Sequence, residues 1–131
     1  MGMRQMVRKT LELLCVLALA GTASCFTPSV PIPPPDPRKI SFDLDLELGS
    51  AQFEYQANAD YGDAVVYVFI RSQGEGLITT ARVDGSVGPT SPFPADEGDQ
   101  VIISFEREDQ ISSACVELHD GPSSEAYECV P

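Results

Sequence analysis

The sequence predicts an all-β chain whose folded part, residues 39–131, is a single antiparallel Greek-key β-sandwich. Three observations predict it. Apolar and polar residues alternate with period two from Lys39 onward, as on strands with one face buried. Residues 64–70, Ala-Val-Val-Tyr-Val-Phe-Ile, are apolar at every position and rich in β formers. Turn residues punctuate the rest into seven or eight short segments, and no amphipathic helix of ten residues interrupts them.

In chain order, Phe42, Leu44, Leu46 and Leu48 alternate with Ser41, Asp43, Asp45 and Glu47. Gly49-Ser50 suits a two-residue hairpin turn, and Ala51, Phe53, Tyr55 and Ala57 lie on the return strand. Residues 58–63 read as a polar loop. The apolar run 64–70 reads as a central strand buried on both faces. Gln73-Gly74-Glu75-Gly76 is a turn, 77–83 a strand with Arg82 outward, and Asp84-Gly85 another turn. Gly88, Pro89, Pro92 and Pro94 mark a loose edge, because proline cannot donate to a central ladder. Strong strands follow at 100–105 and 112–118, joined by a charged turn at 106–110, and a last short strand is expected over 126–130.

Two stretches carry a resemblance. Ala81-Arg82-Val83-Asp84-Gly85-Ser86 and Pro92-Phe93-Pro94-Ala95-Asp96-Glu97-Gly98-Asp99-Gln100-Val101-Ile102-Ile103-Ser104 are similar to the immunoglobulin-like or transthyretin-like modules of bacterial surface proteins. The match covers residues 63–118 and consists of turn chemistry, so it implies an Ig-like sandwich and extracellular display. It transfers no activity, since such sandwiches host many functions.

Ahead of the domain, residues 1–24 read as a signal peptide. Arg4, Arg8 and Lys9 precede an apolar run over 11–20, too short for a stable membrane span of about 20 residues. Thr22-Ala23-Ser24-Cys25 resembles the lipobox of bacterial lipoproteins, although Thr22 stands where that family usually has an aliphatic residue. The resemblance implies that Cys25 is lipidated and becomes the mature N-terminus, on a membrane-anchored envelope protein. Phe26 rather than Asp after the anchor fits outer-membrane sorting. Ordinary cleavage after Ala18-Leu19-Ala20, releasing a secreted protein, is the alternative. Cysteine parity favours the anchor. With Cys15 lost in the leader and Cys25 lipidated, Cys115 and Cys129 remain as a disulfide pair. Their bridge would contribute roughly 3 kcal/mol by closing a loop of about 15 residues. Residues 25–38 read as a tether, since six of the twelve residues at 26–37 are proline and favour an extended chain.

Charge excludes one class of partner. Three of the eight basic residues and one of the twenty acids precede Cys25, leaving 5 basic against 19 acidic side chains beyond it. Nucleic acid requires a basic footprint that this chain lacks. The membrane, reached through the lipid, and an envelope protein or glycan are the expected partners.

His119 is the single histidine and no G-x-S-x-G elbow accompanies it, so no catalytic residue is assigned and no enzyme is expected. No metal or cofactor site is assigned either. Calcium enters only as a weak ligand of two loops, one with Asn58, Asp60 and Asp63, the other with Asp96, Glu97 and Asp99; neither has the register of a defined calcium motif. Asp43, Asp45 and Glu47 read as a solvated edge. With no Trp, a glycan platform would need Tyr55, Tyr61, Tyr67 or Phe93.

Overall fold

Two four-stranded antiparallel sheets make up the computed structural model, which describes residues 30–126. The strands are β1 (Ile40–Asp45), β2 (Ser50–Tyr55), β3 (Val65–Ile70), β4 (Glu75–Thr80), β5 (Phe93–Pro94), β6 (Gln100–Arg107), β7 (Gln110–Glu117) and β8 (Gly121–Pro122). The first sheet runs β5-β2-β1-β8 and the second β4-β3-β6-β7. Alternation works as expected on the inner faces: Phe42 and Phe53 from the first sheet share one core with Val66, Val68, Ile103 and Phe105 from the second. The ring of Tyr55 on β2 lies 4.9 Å from that of Phe105 on β6, so the inner faces meet. The signal peptide, Cys25, Cys129 and most of the expected strand over 126–130 lie outside the described residues. Among the described residues no helix is long and apolar enough to cross a membrane.

Local departures have local causes. Asp45 pairs with Ser50, so the first hairpin turns over four residues, 46–49, instead of two. The Asp45 carboxylate accepts the amides of Glu47 and Leu48, each at 3.0 Å, and ends the strand early. Gly49 then takes a left-handed φ of 61°. Leu46 and Leu48 keep the apolar spacing but leave the sheet, and they are 71% and 78% exposed.

Strand β3 lies between β4 and β6 as a central strand should. It is nevertheless buried on one face only: Val66, Val68 and Ile70 point into the core, while Val65 and Phe69 are exposed. Its turn to β4 occupies 71–74, two residues earlier than the glycines suggest, because Ile70 already pairs with Glu75. The charged turn after β6 narrows to Glu108-Asp109, both left-handed at φ 52° and 62°, matching a two-residue type I′ hairpin.

Proline falls where ladder chemistry allows: Pro94 and Pro122 sit on the two edge strands of the first sheet. Residues 121–122 pair with Ser41 and Phe42 of β1, whereas Ala126 is in no strand. The proline-rich tether is docked over its second half. The Ile32 amide donates to Gln110 Oε1 at 2.9 Å, the Asp36 amide to the Tyr55 hydroxyl at 3.1 Å, and the Tyr61 hydroxyl to the Pro33 carbonyl. Pro35 is buried. Residues 32–36 of the expected tether are therefore held against the domain.

Candidate functional surfaces

The two acidic loops sit at opposite ends of the second sheet. Val65 pairs with Glu106 and Ile70 with Val101, so the loop ahead of β3 and the loop ahead of β6 are a full strand length apart. Six residues at a rise of about 3.4 Å separate them by roughly 17–20 Å. Within the first loop, Asn58 Oδ1 accepts the Asp60 amide and caps a short 3-10 turn, Ala59–Tyr61. The Asp60 carbonyl accepts from Arg107. Asp63 lies exposed at a φ of 59°.

Asp99 in the second loop spends its carboxylate inside the protein. Oδ1 accepts from the Ser72 hydroxyl at 2.6 Å, and Oδ2 from the Asp96 amide at 2.8 Å and Gln73 Nε2 at 3.2 Å. It ties the β3–β4 turn to the β5–β6 loop. Partial burial opposes its charge, but the Ser72, Asp96 and Gln73 donors outweigh that and hold the carboxyl below the ordinary aspartate range. A depressed carboxyl contributes stability that is complete above the ordinary aspartate value and is lost as pH falls through the folded one. Asp99→Asn is thus expected to lower the urea midpoint at pH 7 by the equivalent of about 1 kcal/mol. The gap to wild type should close as pH falls below the ordinary aspartate range, which urea titrations at neutral and strongly acid pH would check. Among the described residues, no three His, Cys, Asp or Glu side chains converge to hold a metal ion.

Tyr55, Tyr61 and Phe93 are spent on the core. Tyr61 stacks on Phe105 at 4.2 Å, Tyr55 packs against both, and Phe93 is also buried. Burial raises the phenol pKa of both Tyr55 and Tyr61. Of the four platform candidates only Tyr67 reaches the surface, and its hydroxyl donates to Glu106 Oε2 at 2.6 Å. That hydrogen bond, with some burial, raises its pKa as well.

His119 is exposed, with Nδ1 3.6 Å from Glu97 and Nε2 3.5 Å from Glu117. Two carboxylates, not a serine and its orienting acid, flank its ring. Cys115 on β7 is buried and is not a free thiol; Cys129, its expected partner, lies outside the described residues. An open hollow of about 520 Å³ separates Pro34, Pro35 and Pro37 from Ile102, Ala114 and Cys115. Its walls are apolar apart from Ser113 and hold no acid or base.

The outer faces of the two sheets differ sharply. On the first, Asp43 faces Gln52 and Ser41 faces Glu54, a polar surface in which the acids are solvated. On the second, strand register aligns Ile78, Tyr67, Ser104 and Ser113 in one row across all four strands. Gly76, Phe69, Ile102 and Cys115 form the next row. Neither row carries a charge. The two serine hydroxyls satisfy each other at 2.7 Å. Residues 64–70, apolar throughout, were the signal for this face in the sequence, but there they read as burial. Comparison with protein-family models, curated proteins and solved structures yields no match.

Proposed function

We propose that the chain is a lipid-anchored protein of a bacterial envelope, sorted to the outer membrane, whose sandwich is a structural or protein-interaction module without catalysis. The observation that carries this reading is the run of small residues ending at Cys25, between an apolar leader and a proline-rich segment that leads into an all-β domain. The chain is positioned by its lipid, and its folded surface acts by contact. Cys25→Ser is expected to move the full-length protein from the membrane to the soluble fraction, and globomycin to leave the unprocessed form. A Cys25→Ser protein that stays in membranes would refute the anchor, and wild type found soluble would favour cleavage after Ala20.

The finer fold reading is a Greek-key, Ig-like sandwich, and strand order supports it. Lettered in the immunoglobulin manner, β1, β2 and β5 take positions A, B and E, while β4, β3, β6 and β7 take C′, C, F and G. Strand β8 adds outside A. A Cys115–Cys129 bridge belongs to the same proposal, as a fastening for the C-terminal tail. Non-reducing peptide mapping should recover the two cysteines in one cross-linked fragment. Recovery of Cys129 as a free thiol would exclude the pairing.

A further inference from the structure

We infer that one end of the sandwich is turned to the lipid bilayer. It is the end carrying residues 58–63 and the β6–β7 turn, so the 46–49 turn and the 95–99 loop are presented outward. The inference rests on the lipid anchor at Cys25 and adds an orientation to it. What carries it is the docked segment ahead of β1. Gln110 Oε1 holds the Ile32 amide, the Tyr61 hydroxyl the Pro33 carbonyl, and the Tyr55 hydroxyl the Asp36 amide. Ile32 also packs against the core, and Pro35 is buried. These contacts fix where the chain leaves the domain. The exit is beside Gln110, the first residue of β7, at the end where β3 begins with Val65 and β6 finishes with Arg107.

Chain length turns that exit into an orientation. Seven residues lead from Cys25 to Ile32, and at no more than about 3.6 Å each they reach about 25 Å. Were the segment free up to Ile40, fifteen residues would reach about 50 Å, and either end could meet the bilayer. The strands are roughly 20 Å long. To bring the far end to the lipid, the short tether would have to run back along the sandwich at nearly full extension. That would cost it most of its conformational freedom. With the exit end down, it has slack.

Charge points the same way. Of the five basic residues beyond Cys25, Arg38, Lys39, Arg82 and Arg107 lie at the exit end. There Lys39 Nζ reaches the Ala57 carbonyl, the Arg82 carbonyl accepts the Asp63 amide, and Arg107 reaches the Asp60 carbonyl. Only Arg71 is at the other end, with Asp45, Glu47, Asp96, Glu97, Glu117 and Asp120. Acids occur at both ends, so neither is a cationic footprint. An anionic headgroup layer nevertheless repels the far end more strongly.

The test reconstitutes the full-length protein, recovered from membranes, into phosphatidylcholine–phosphatidylglycerol vesicles that contain an acceptor-labelled lipid. A fluorescent coumarin amino acid is placed either at Val83 or at Leu48, which are 81% and 78% exposed. Val83 is at the exit end, where its carbonyl lies against Gly62, and Leu48 is in the far turn. Energy transfer to the lipid should be at least about twofold stronger from Val83, for ends roughly 20 Å apart. A Gly-Ser insertion of about twelve residues between Phe26 and Thr27 lengthens the tether without touching the domain, and should bring the two signals together. Flotation of the same vesicles reads the anchor separately: wild type should float and Cys25→Ser should not. A wild type that does not float overturns the anchor and the inference together. Floating protein with equal transfer from the two positions, or stronger transfer from Leu48, overturns the inference alone. So does a difference that the insertion leaves unchanged.

Discussion

Phe105→Ala is expected to destabilise the domain by about 3–5 kcal/mol, the usual cost of deleting a fully buried ring. Phe105, on β6, is fully buried and touches the rings of both Tyr55 and Tyr61. It stacks on Tyr61 with ring planes 27° apart and tilts against Tyr55 at 4.9 Å. Those two tyrosines also hold the incoming chain, through the Asp36 amide and the Pro33 carbonyl. The cavity left by alanine would therefore loosen the docked tether together with the core. Whole domains are stable by only about 5–15 kcal/mol, so this loss is a substantial share of the total. Urea unfolding should show a much lower midpoint with an unchanged slope. Tyr61→Phe separates the two contributions. It keeps the ring, removes the donor to Pro33 and should cost about 1 kcal/mol. A Phe105→Ala protein within 1 kcal/mol of wild type would mean that the aromatic group is not the centre of the core.

Gly85→Ala is the second large expectation, and its origin is steric. Gly85 has a φ of 81°, and an added Cβ would lie 1.7 Å from the Asn58 carbonyl oxygen and 2.7 Å from its carbon. Both are backbone atoms, so no side chain can swing away. The turn itself is closed by the Gly85 amide on the Arg82 carbonyl at 2.9 Å and by Asp84 Oδ1 on the Ser86 amide at 2.9 Å. Asn58, on the other side, caps the turn that delivers Tyr61 to the core. Left-handed strain contributes about 1–2 kcal/mol, and displacing one loop from the other should bring the total to at least about 3 kcal/mol. Gly74→Ala is the control. Its φ is 67° but nothing lies within 4 Å of the new atom, so only the strain of about 1 kcal/mol should register. Equal losses in the two variants, read from urea midpoints, would show that the close approach to Asn58 has no energetic weight.

Glycine and aspartate at these turns were legible in the sequence as punctuation, because their chemistry is local. The Asp84-Gly85 turn falls where expected, and so do the cores of β1, β2, β3, β6 and β7. The ends of the strands were less legible. Asp45 captures two amides and stops β1, while the alternation of Leu46 and Leu48 continues as if the strand did. Gly76, read as a turn, lies inside β4, where a Cβ would come 2.3 Å from the Val68 carbonyl oxygen. A glycine needed for close approach looks the same in one dimension as a glycine needed for a bend.

The candidate surfaces divide in the same way. Acidity is readable from residue types alone, and so is the residue pattern of 1–25 and the cysteines on which the anchor proposal rests. Period two told which residues share a strand face, since the geometry of an extended chain dictates it. Whether another layer covers that face depends on pairings between residues far apart in sequence. Only the tertiary structure put the Asp60 and Asp99 loops at opposite ends and sent Tyr55 and Tyr61 inward. Only the tertiary structure, likewise, left Val65 and Phe69 on the outer side of β3 exposed. Strand propensity is set within a few residues, but burial is decided by which distant segment arrives to cover them.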